Sequence, residues 1–300
     1  IGCGSIGRRH AKNLLSLGVN VFCFDRDFAK MESLVKDLGV TPYEFKSHHE
    51  KIDAFIICTP PEYHIPFANE AIEHNSHIFI EKPLSDSLDN IDYTIEDAKS
   101  KNLIIQVGYQ MRFDSRIQWI KSILDRIGNI LSMQFTFGQY LPNWHPTEDY
   151  RKSYTAEIGI ILDASHEIDL ALWFYPKLPL SVMSQIGRAM NLGPECEDMA
   201  NILFDYGNAI CNIHLDMINQ KYTRNFQLIG PGGTITWDYS SPVVTVFEKN
   251  TLKYHHFTPN DPYLDEMFSF IKCIEDKATP LVTIQEAKKV LVIALKAKGG

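Results

Sequence analysis

The sequence predicts an α/β chain in two parts: an N-terminal doubly wound parallel sheet, then a C-terminal α+β half with a large, mostly antiparallel open sheet. Two observations carry this. Up to about residue 107, apolar runs of strand length alternate with helical periodicity. Beyond Gly108 the period falls to two, with Met133, Phe135 and Phe137 in one run and Ala209, Cys211, Ile213, Leu215 and Met217 in another.

With 300 residues, 45% hydrophobic and 22% charged, the chain has material for two cores. Its net charge of −8 and isoelectric point near 5.8 leave no basic surface for nucleic acid or anionic lipid, so the expected partner is a small molecule. The six cysteines, at 3, 23, 58, 196, 211 and 273, are scattered without a CxxC, the usage of reduced, buried thiols in a cytoplasmic protein. No apolar run approaches the ~18–20 residues of a membrane helix, and no stretch has the pattern of a signal peptide. The chain opens inside a motif and without Met, so a few upstream residues completing a first strand are expected.

Gly2-Cys-Gly4-Ser5-Ile6-Gly7 is a GxGxxG run that opens a helix through Leu14, Leu15 and Leu17 to Gly18. Its first glycine permits a tight turn, the second lets main chain approach a pyrophosphate, and the third lets helix pack on strand. Residues 19–24 follow as a buried strand ending at Asp25, 18 residues beyond Gly7, where an acid can accept hydrogen bonds from ribose hydroxyls. Glycines, helix, strand and acid together make a dinucleotide fingerprint. Asp25 favours NAD because its charge would repel a 2′-phosphate, while Arg26 beside it leaves NADP open.

A helix is expected over residues 28–38, and His48-His49 reads as surface loop. Residues 52–58 form a strand that Thr59-Pro60-Pro61 must stop, followed by a helix from about Glu62 to His74. His64, in its first turn, faces either the nicotinamide region or solvent. Residues 77–80 read as a strand buried on both faces, so Glu81 and Lys82 emerge at its carboxyl end, where open parallel sheets bind ligands. Pro83 fixes its own φ and biases Lys82 toward extended backbone, which aims the amine. A helix over 88–101 and a strand over 103–107 complete the βαβ series.

In the second half a helix is expected over 115–127 and strands over 132–139, 181–187, 198–206, 209–217, 224–229, 234–239 and 243–257. Helices over 263–276 and 284–298 close the chain. A broad sheet with an uncovered face carrying Phe, Met and Trp points to a homo-oligomer, dimer or tetramer, although the same side chains could equally be core. Before the second strand lies a long polar and aromatic loop containing Trp144, His145, Tyr150 and Arg151, which looks like a ligand wall. Residues 166–174 are helical, so His166 and Asp169 share one face, with Asp163 or Ser165 as the expected N-cap. His-Glu-Ile-Asp lacks HExxH spacing, and no metal is expected.

These motifs, GxGxxG at 2–7, Thr59-Pro60 with His64, Glu81-Lys82-Pro83, Gly108-Tyr109 with Arg112-Phe113, and His166-x-x-Asp169, occur in the order of the glucose–fructose oxidoreductase and inositol dehydrogenase (Gfo/Idh/MocA) family, which the whole chain resembles. The resemblance implies a Rossmann domain over 1–109, a substrate-binding and oligomerisation domain over 110–300, and a nicotinamide cofactor. It implies catalytic roles for Lys82 and His166. The cofactor set is then Gly2, Gly4, Ser5, Ile6, Gly7, Asp25, Arg26, Cys58, Thr59, Pro60, His64, Glu81, Lys82 and Arg112. The substrate set is Lys82, Tyr109, Trp144, His145, Tyr150, Arg151, Asp163 and His166. Many members carry an Asp four residues before the histidine; here Asp163 stands three before it, so an Asp–His pairing stays open. The loop beginning Leu141-Pro-Asn-Trp144 looks like that of members associated with surface-sugar biosynthesis.

A secondary alcohol gives up hydride only as its hydroxyl proton leaves, so a base and an alkoxide-stabilising cation are required, and Lys82 and His166 fit the two tasks. The expected activity is an NAD(P)-dependent oxidoreductase acting on a sugar, cyclitol or nucleotide-linked sugar. The alternatives are an NAD-dependent glycosidase using transient oxidation, and a cofactor-binding regulator without turnover, against which the intact Lys82 and His166 argue.

Overall fold

The computed structural model describes residues 1–43, 51–143, 158–189 and 196–299. The chain divides into two compact units, Ile1–Phe113 with Asp261–Lys288, and Asp114–Asn260 with Lys289–Gly300. Beside the expected division after residue 109, the first unit thus runs four residues further and takes in a C-terminal segment that no periodicity announced.

In the first unit, β1 (Phe22–Cys23) pairs in parallel with β2 (Thr41–Pro42), and β3 (Ala54–Ile57), β4 (His77–Glu81) and β5 (Ile105–Gly108) form a parallel sheet in that order. Residues 1 and 2 bridge the two sheets. The Gly2 N–H donates to the Phe24 carbonyl at 2.9 Å, the Ile1 amino group to the Ile56 carbonyl at 2.7 Å, and the Cys58 N–H to the Ile1 carbonyl at 2.8 Å. A cavity of about 900 Å³ lies between β1 and β3, lined by Leu14, Val21, Leu34 and Phe55 among others. Its lining also takes in Gly2, Cys3 and Gly7 of the first loop and the exposed Lys51 and Asp53.

The covering helices are α1 (Ser5–Ser16), α2 (Phe28–Leu38), α3 (His64–Glu73) and α4 (Ile91–Ser100). Asp27 caps α2 by accepting from the Ala29 and Lys30 N–H groups, and Gly39 ends it at φ +69°, a conformation glycine adopts without strain. The C-terminal α8 (Pro262–Asp276), capped by Asp261 with proline at its first position, packs Met267 and Phe270 against Leu14 of α1 and Phe79 of β4.

The second unit carries α5 (Ser115–Ser122), β6 (Ser132–Tyr140), α6 (Ile160–Asp163), α7 (His166–Phe174), β7 (Ser181–Gly187), β8 (Met199–Asp205), β9 (Ile210–Asp216), β10 (Ile218–Gly230), β11 (Gly233–Asp238), β12 (Val243–Glu248) and β13 (Thr251–His256). The last helix, α9 (Ile284–Lys298), crosses the division between the units. The strands form one sheet in the order β13-β12-β11-β10-β6-β9-β8-β7, antiparallel throughout except for β6 beside β9. The single strand expected over 243–257 is two strands, because Lys249 and Asn250 turn the chain at φ +49° and +57°.

Of the two readings of these apolar side chains, core holds for one face of the sheet. Met133, Phe135, Phe137, Phe226 and Trp237 are all buried. The register instead carries Leu203, Asn212, Gln134, Gln227, Thr236, Thr245 and Tyr254 across the opposite face. Aromatic residues at odd positions were legible as one face, and that face is the core.

Candidate functional site

The three glycines of the first loop answer to three different constraints. Gly2 has φ +89°, and a Cβ there would stand 2.5 Å from the Cys58 carbonyl oxygen. A Cβ on Gly7 would fall 1.9 Å from the Gly2 carbonyl oxygen, so only glycine lets the helix start this close to the turn. A Cβ on Gly4 meets no described atom within 4 Å. That position is open on the protein side, as main chain approached by a ligand must be. Gly4 is also the N-cap of α1, and no side chain among the described residues caps the helix. Its first N–H groups are left for an anion, aided by the helix dipole.

Asp25 lies just beyond β1, half-buried. One carboxylate oxygen accepts the Cys3 N–H at 2.7 Å and the other the Asp27 N–H at 2.8 Å. Each oxygen keeps a lone pair for a ribose hydroxyl. The exposed Arg26 sets its guanidinium 4.8 Å over the Tyr63 ring. The glycine loop, the uncapped helix start and this carboxylate therefore fit the pyrophosphate and adenosine ribose of NAD.

After β3, the main chain at Cys58 and Thr59 lies against Gly2. Burial pushes the Cys58 thiol well above its ordinary value, so it stays protonated. His64 is not a surface residue. It is 1% exposed, with one ring nitrogen 2.8 Å from the Thr59 carbonyl and the other 2.9 Å from the Pro83 carbonyl. Burial lowers its pKa, against the two carbonyls and Glu81, which raise it. His64 thus ties the loop after β3 to the loop after β4 and does not reach a ligand through its ring nitrogens.

Glu81, expected to emerge beside Lys82, turns inward and is 6% exposed. One oxygen lies 2.6 Å from His10 Nε2 of α1, and the other accepts the Lys82 main-chain N–H at 3.1 Å. Space for this carboxylate comes from Gly108, its partner in the β4–β5 register, where a Cβ would stand 3.2 Å from a Glu81 oxygen. Lys82, half-buried, therefore starts from a main chain that Glu81 holds. The fully buried Glu266 of α8 lies in the same cluster, one of its carboxylate oxygens within 4.8 Å of a His10 ring nitrogen and a Glu81 carboxylate oxygen. His10 and Glu266 were missed from the sequence. Each is a titratable residue on the apolar face of its helix, among Ala11 and Leu14 in one case and Met267, Phe270 and Cys273 in the other, which is the available signal.

Tyr109 and Arg112, expected at a ligand, are each 1% exposed. One Arg112 guanidinium nitrogen donates to the Leu281 carbonyl at 3.2 Å and to Glu286 at 3.3 Å, which uses the residue to fasten the C-terminal segment to the first unit.

In the second unit His166 opens α7 and is 3% exposed, with Asp169, 0% exposed, one turn on. Ser165 is the N-cap position, yet no side chain among the described residues caps the helix, and Asp163 ends α6 instead. The neighbouring Glu167 is buried in a two-point pair with Arg224, at 2.8 and 3.2 Å. Trp144, His145, Tyr150 and Arg151 lie outside the described residues. Among the described residues, which include all six cysteines, none is in a disulfide, and no helix is long and apolar enough to cross a membrane.

The glycine loop and its acid define a dinucleotide-binding protein of the Rossmann class. Residues 1–109 match the oxidoreductase family with an NAD-binding Rossmann fold, and residues 117–236 match the GFO/IDH/MocA C-terminal domain. The chain belongs to the GFO/IDH/MocA family of oxidoreductases. It is 25% identical to a myo-inositol 2-dehydrogenase of Thermotoga maritima, over 99% of this chain and 94% of that one. It is 28% identical to a scyllo-inositol 2-dehydrogenase (NAD(+)) of Bacillus subtilis, over 99% and 91%. Among solved structures, a UDP-N-acetylglucosamine 3-dehydrogenase from Acidithiobacillus ferrooxidans has the same fold, with a TM-score of 0.87 at 19% identity, over 99% of this chain and 95% of that one.

Proposed function

We propose that the chain transfers hydride between NAD and a hydroxyl-bearing carbon of a sugar, cyclitol or nucleotide-linked sugar, with Lys82 and His166 as its catalytic residues. The named relatives, dehydrogenases of inositols and of a UDP-linked sugar, support this substrate class. The observation that carries the reading is Lys82, its main chain held by Glu81 at the carboxyl end of β4 in the unit that bears the glycine loop. Bound nicotinamide supplies the hydride acceptor. The protein must take the hydroxyl proton and steady the oxygen it leaves, tasks suited to an imidazole and an ammonium.

Assayed by absorbance of the reduced cofactor over inositols, sugar phosphates and nucleotide sugars, Lys82→Met and His166→Ala should each cut turnover by ~10²–10⁴ while NAD affinity stays within a few-fold. The double variant should lose less than the two losses combined. Near-normal turnover in Lys82→Met would remove that residue from the mechanism. A leaving group released without net reduced cofactor would favour the glycosidase alternative.

The free cysteines support a cytoplasmic location. A homo-oligomer remains part of the proposal, supported by exposed Met183, Ile186, Ile210, Phe247 and Tyr254 on the sheet strands. Light scattering that gives only the monomer mass of 34.3 kDa would rule it out.

A further inference from the structure

The cluster of His10, Glu81 and Glu266 poses a charge problem that the hydride-transfer reading leaves unsolved. Glu266 is 0% exposed, and neither of its carboxyl oxygens has a hydrogen-bond partner among the described residues. Glu81, 6% exposed, lies within 4.8 Å of it. Two ionised carboxylates so close and so dry repel each other without the solvation that would offset it. Glu81 is the one equipped to be ionised, since it accepts from the Lys82 N–H and meets His10 Nε2. The other groups around the cluster are few, and among the described residues no cation pairs with a Glu266 oxygen. From α8 they are Tyr263 and the helix-capping Asp261; from β5, Gln106, whose Nε2 donates to the Glu266 main-chain carbonyl at 3.1 Å; from α1, Arg9, which stacks its guanidinium 4.3 Å over the Tyr263 ring. Cys58 lies near enough for both acids to raise its pKa.

A metal ion is the first cation to consider, because these three residues could each offer one ligand atom. The 2.6 Å between His10 Nε2 and the Glu81 oxygen is a hydrogen-bond length. Two ligands on one tetrahedral cation at about 2.0–2.2 Å would stand roughly 3.3 Å apart. The smaller cation, a proton, fits.

We propose that His10, Glu81 and Glu266 form a buried proton-holding site, in which Glu266 is a neutral carboxylic acid and thereby keeps Glu81 ionised, paired with His10 and anchoring the Lys82 main chain. A carboxylate oxygen of Glu81 lies within 4.8 Å of the Glu266 carboxyl, and Gln106, which donates to the Glu266 main-chain carbonyl, keeps an Oε1 without a hydrogen-bond partner among the described residues. Burial first, then the charges of Glu81 and Asp261, push the Glu266 carboxyl well above its ordinary 4.5. A carboxyl raised in the folded state binds its proton more tightly there than in the unfolded chain. Its contribution to stability is therefore full below 4.5 and is lost as pH rises through the raised value. Only the consequence for Lys82 rests on the proposed catalytic role of that residue.

The test needs no substrate, so its failure is separate from a failure of that role. In the whole protein with ¹³C-carboxyl-labelled glutamate, one glutamate resonance should remain at the protonated position at neutral pH, with a matching carboxylic C=O stretch in the infrared. Both signals should vanish in Glu266→Gln. That variant, which mimics the neutral acid, should gain melting temperature over wild type increasingly as pH is raised from about 5 to about 9. Wild type with every glutamate ionised at neutral pH would overturn the site. So would a melting temperature raised by added zinc or magnesium and lowered by a chelator, which would make it a cation site. The resonance and the infrared band are read on wild type, so the proposal stays testable if Glu266→Gln fails to fold.

Discussion

The carboxylate of Asp25 accepts the main-chain N–H of Cys3 at 2.7 Å, so the acid at the end of β1 also holds the glycine loop in place. The side chain shapes the loop by accepting a hydrogen bond, and we propose that its charge also selects the cofactor. Asp25→Asn keeps an oxygen for Cys3 and removes the charge. It should bind NAD with modest loss while the preference for NAD over NADP shrinks by about tenfold, the equivalent of ~1.4 kcal/mol. Asp25→Ala should weaken both cofactors as the loop loses its anchor. Titrations in which wild type prefers NADP would transfer the selecting role to Arg26.

The glycine loop offers a contrast between two neighbouring positions. Gly7→Ala puts a methyl 1.9 Å from the Gly2 carbonyl oxygen, a backbone atom that cannot step aside. It should lower stability by about 1–3 kcal/mol and weaken NAD together. Gly4→Ala meets no described atom within 4 Å and sits at φ −69°, so its melting temperature should stay near wild type while NAD affinity falls. Equal losses of stability in the two variants would contradict this division.

Arg112 is predicted to be structural. At 1% exposure, with its pairing to Glu286 and the Leu281 carbonyl, Arg112→Met should cost about 3 kcal/mol, the low end for a buried pair because Glu286 is 39% exposed. NAD affinity of the folded fraction should be unchanged. Urea midpoints and cofactor titration read the two effects separately, and a selective loss of NAD binding would restore the ligand role.

In the second unit Glu248 bonds both Arg126 and Lys253, which hold its carboxyl down at about 2 from an ordinary 4.5. A carboxyl lowered in the folded state adds stability that is full above 4.5 and is lost as pH falls toward 2. Glu248→Gln should be less stable than wild type at neutral pH, and the gap should close across that acid window in denaturant titrations. A gap independent of pH would show that packing, not charge, is what the residue contributes.

The sequence by itself determined what repeats or depends on near neighbours. The helices over 28–38 and 166–174 and most strands of the second unit were legible because a period of 3.6 or 2 survives in the chain itself, whereas the helix expected over 115–127 stops at Ser122 and a separate 3-10 turn covers Leu124–Ile127. The glycine motif was legible because turn, helix start and acid follow one another within 25 residues. Only the tertiary structure decided which way side chains turn where distant segments meet. Glu81 points inward because Gly108, on the neighbouring strand, leaves room and His10, 71 residues earlier, supplies a partner. His64 is fixed by the carbonyl of Pro83, 19 residues on, and Arg112 by Leu281 and Glu286 at the far end of the chain. The same holds for the sheet: alternation marked Met133, Phe135 and Phe137 as belonging to one face, but which face is covered depends on what packs against it. Periodicity records a residue's own backbone, whereas burial and pairing record its partners, and those come together only when the chain folds.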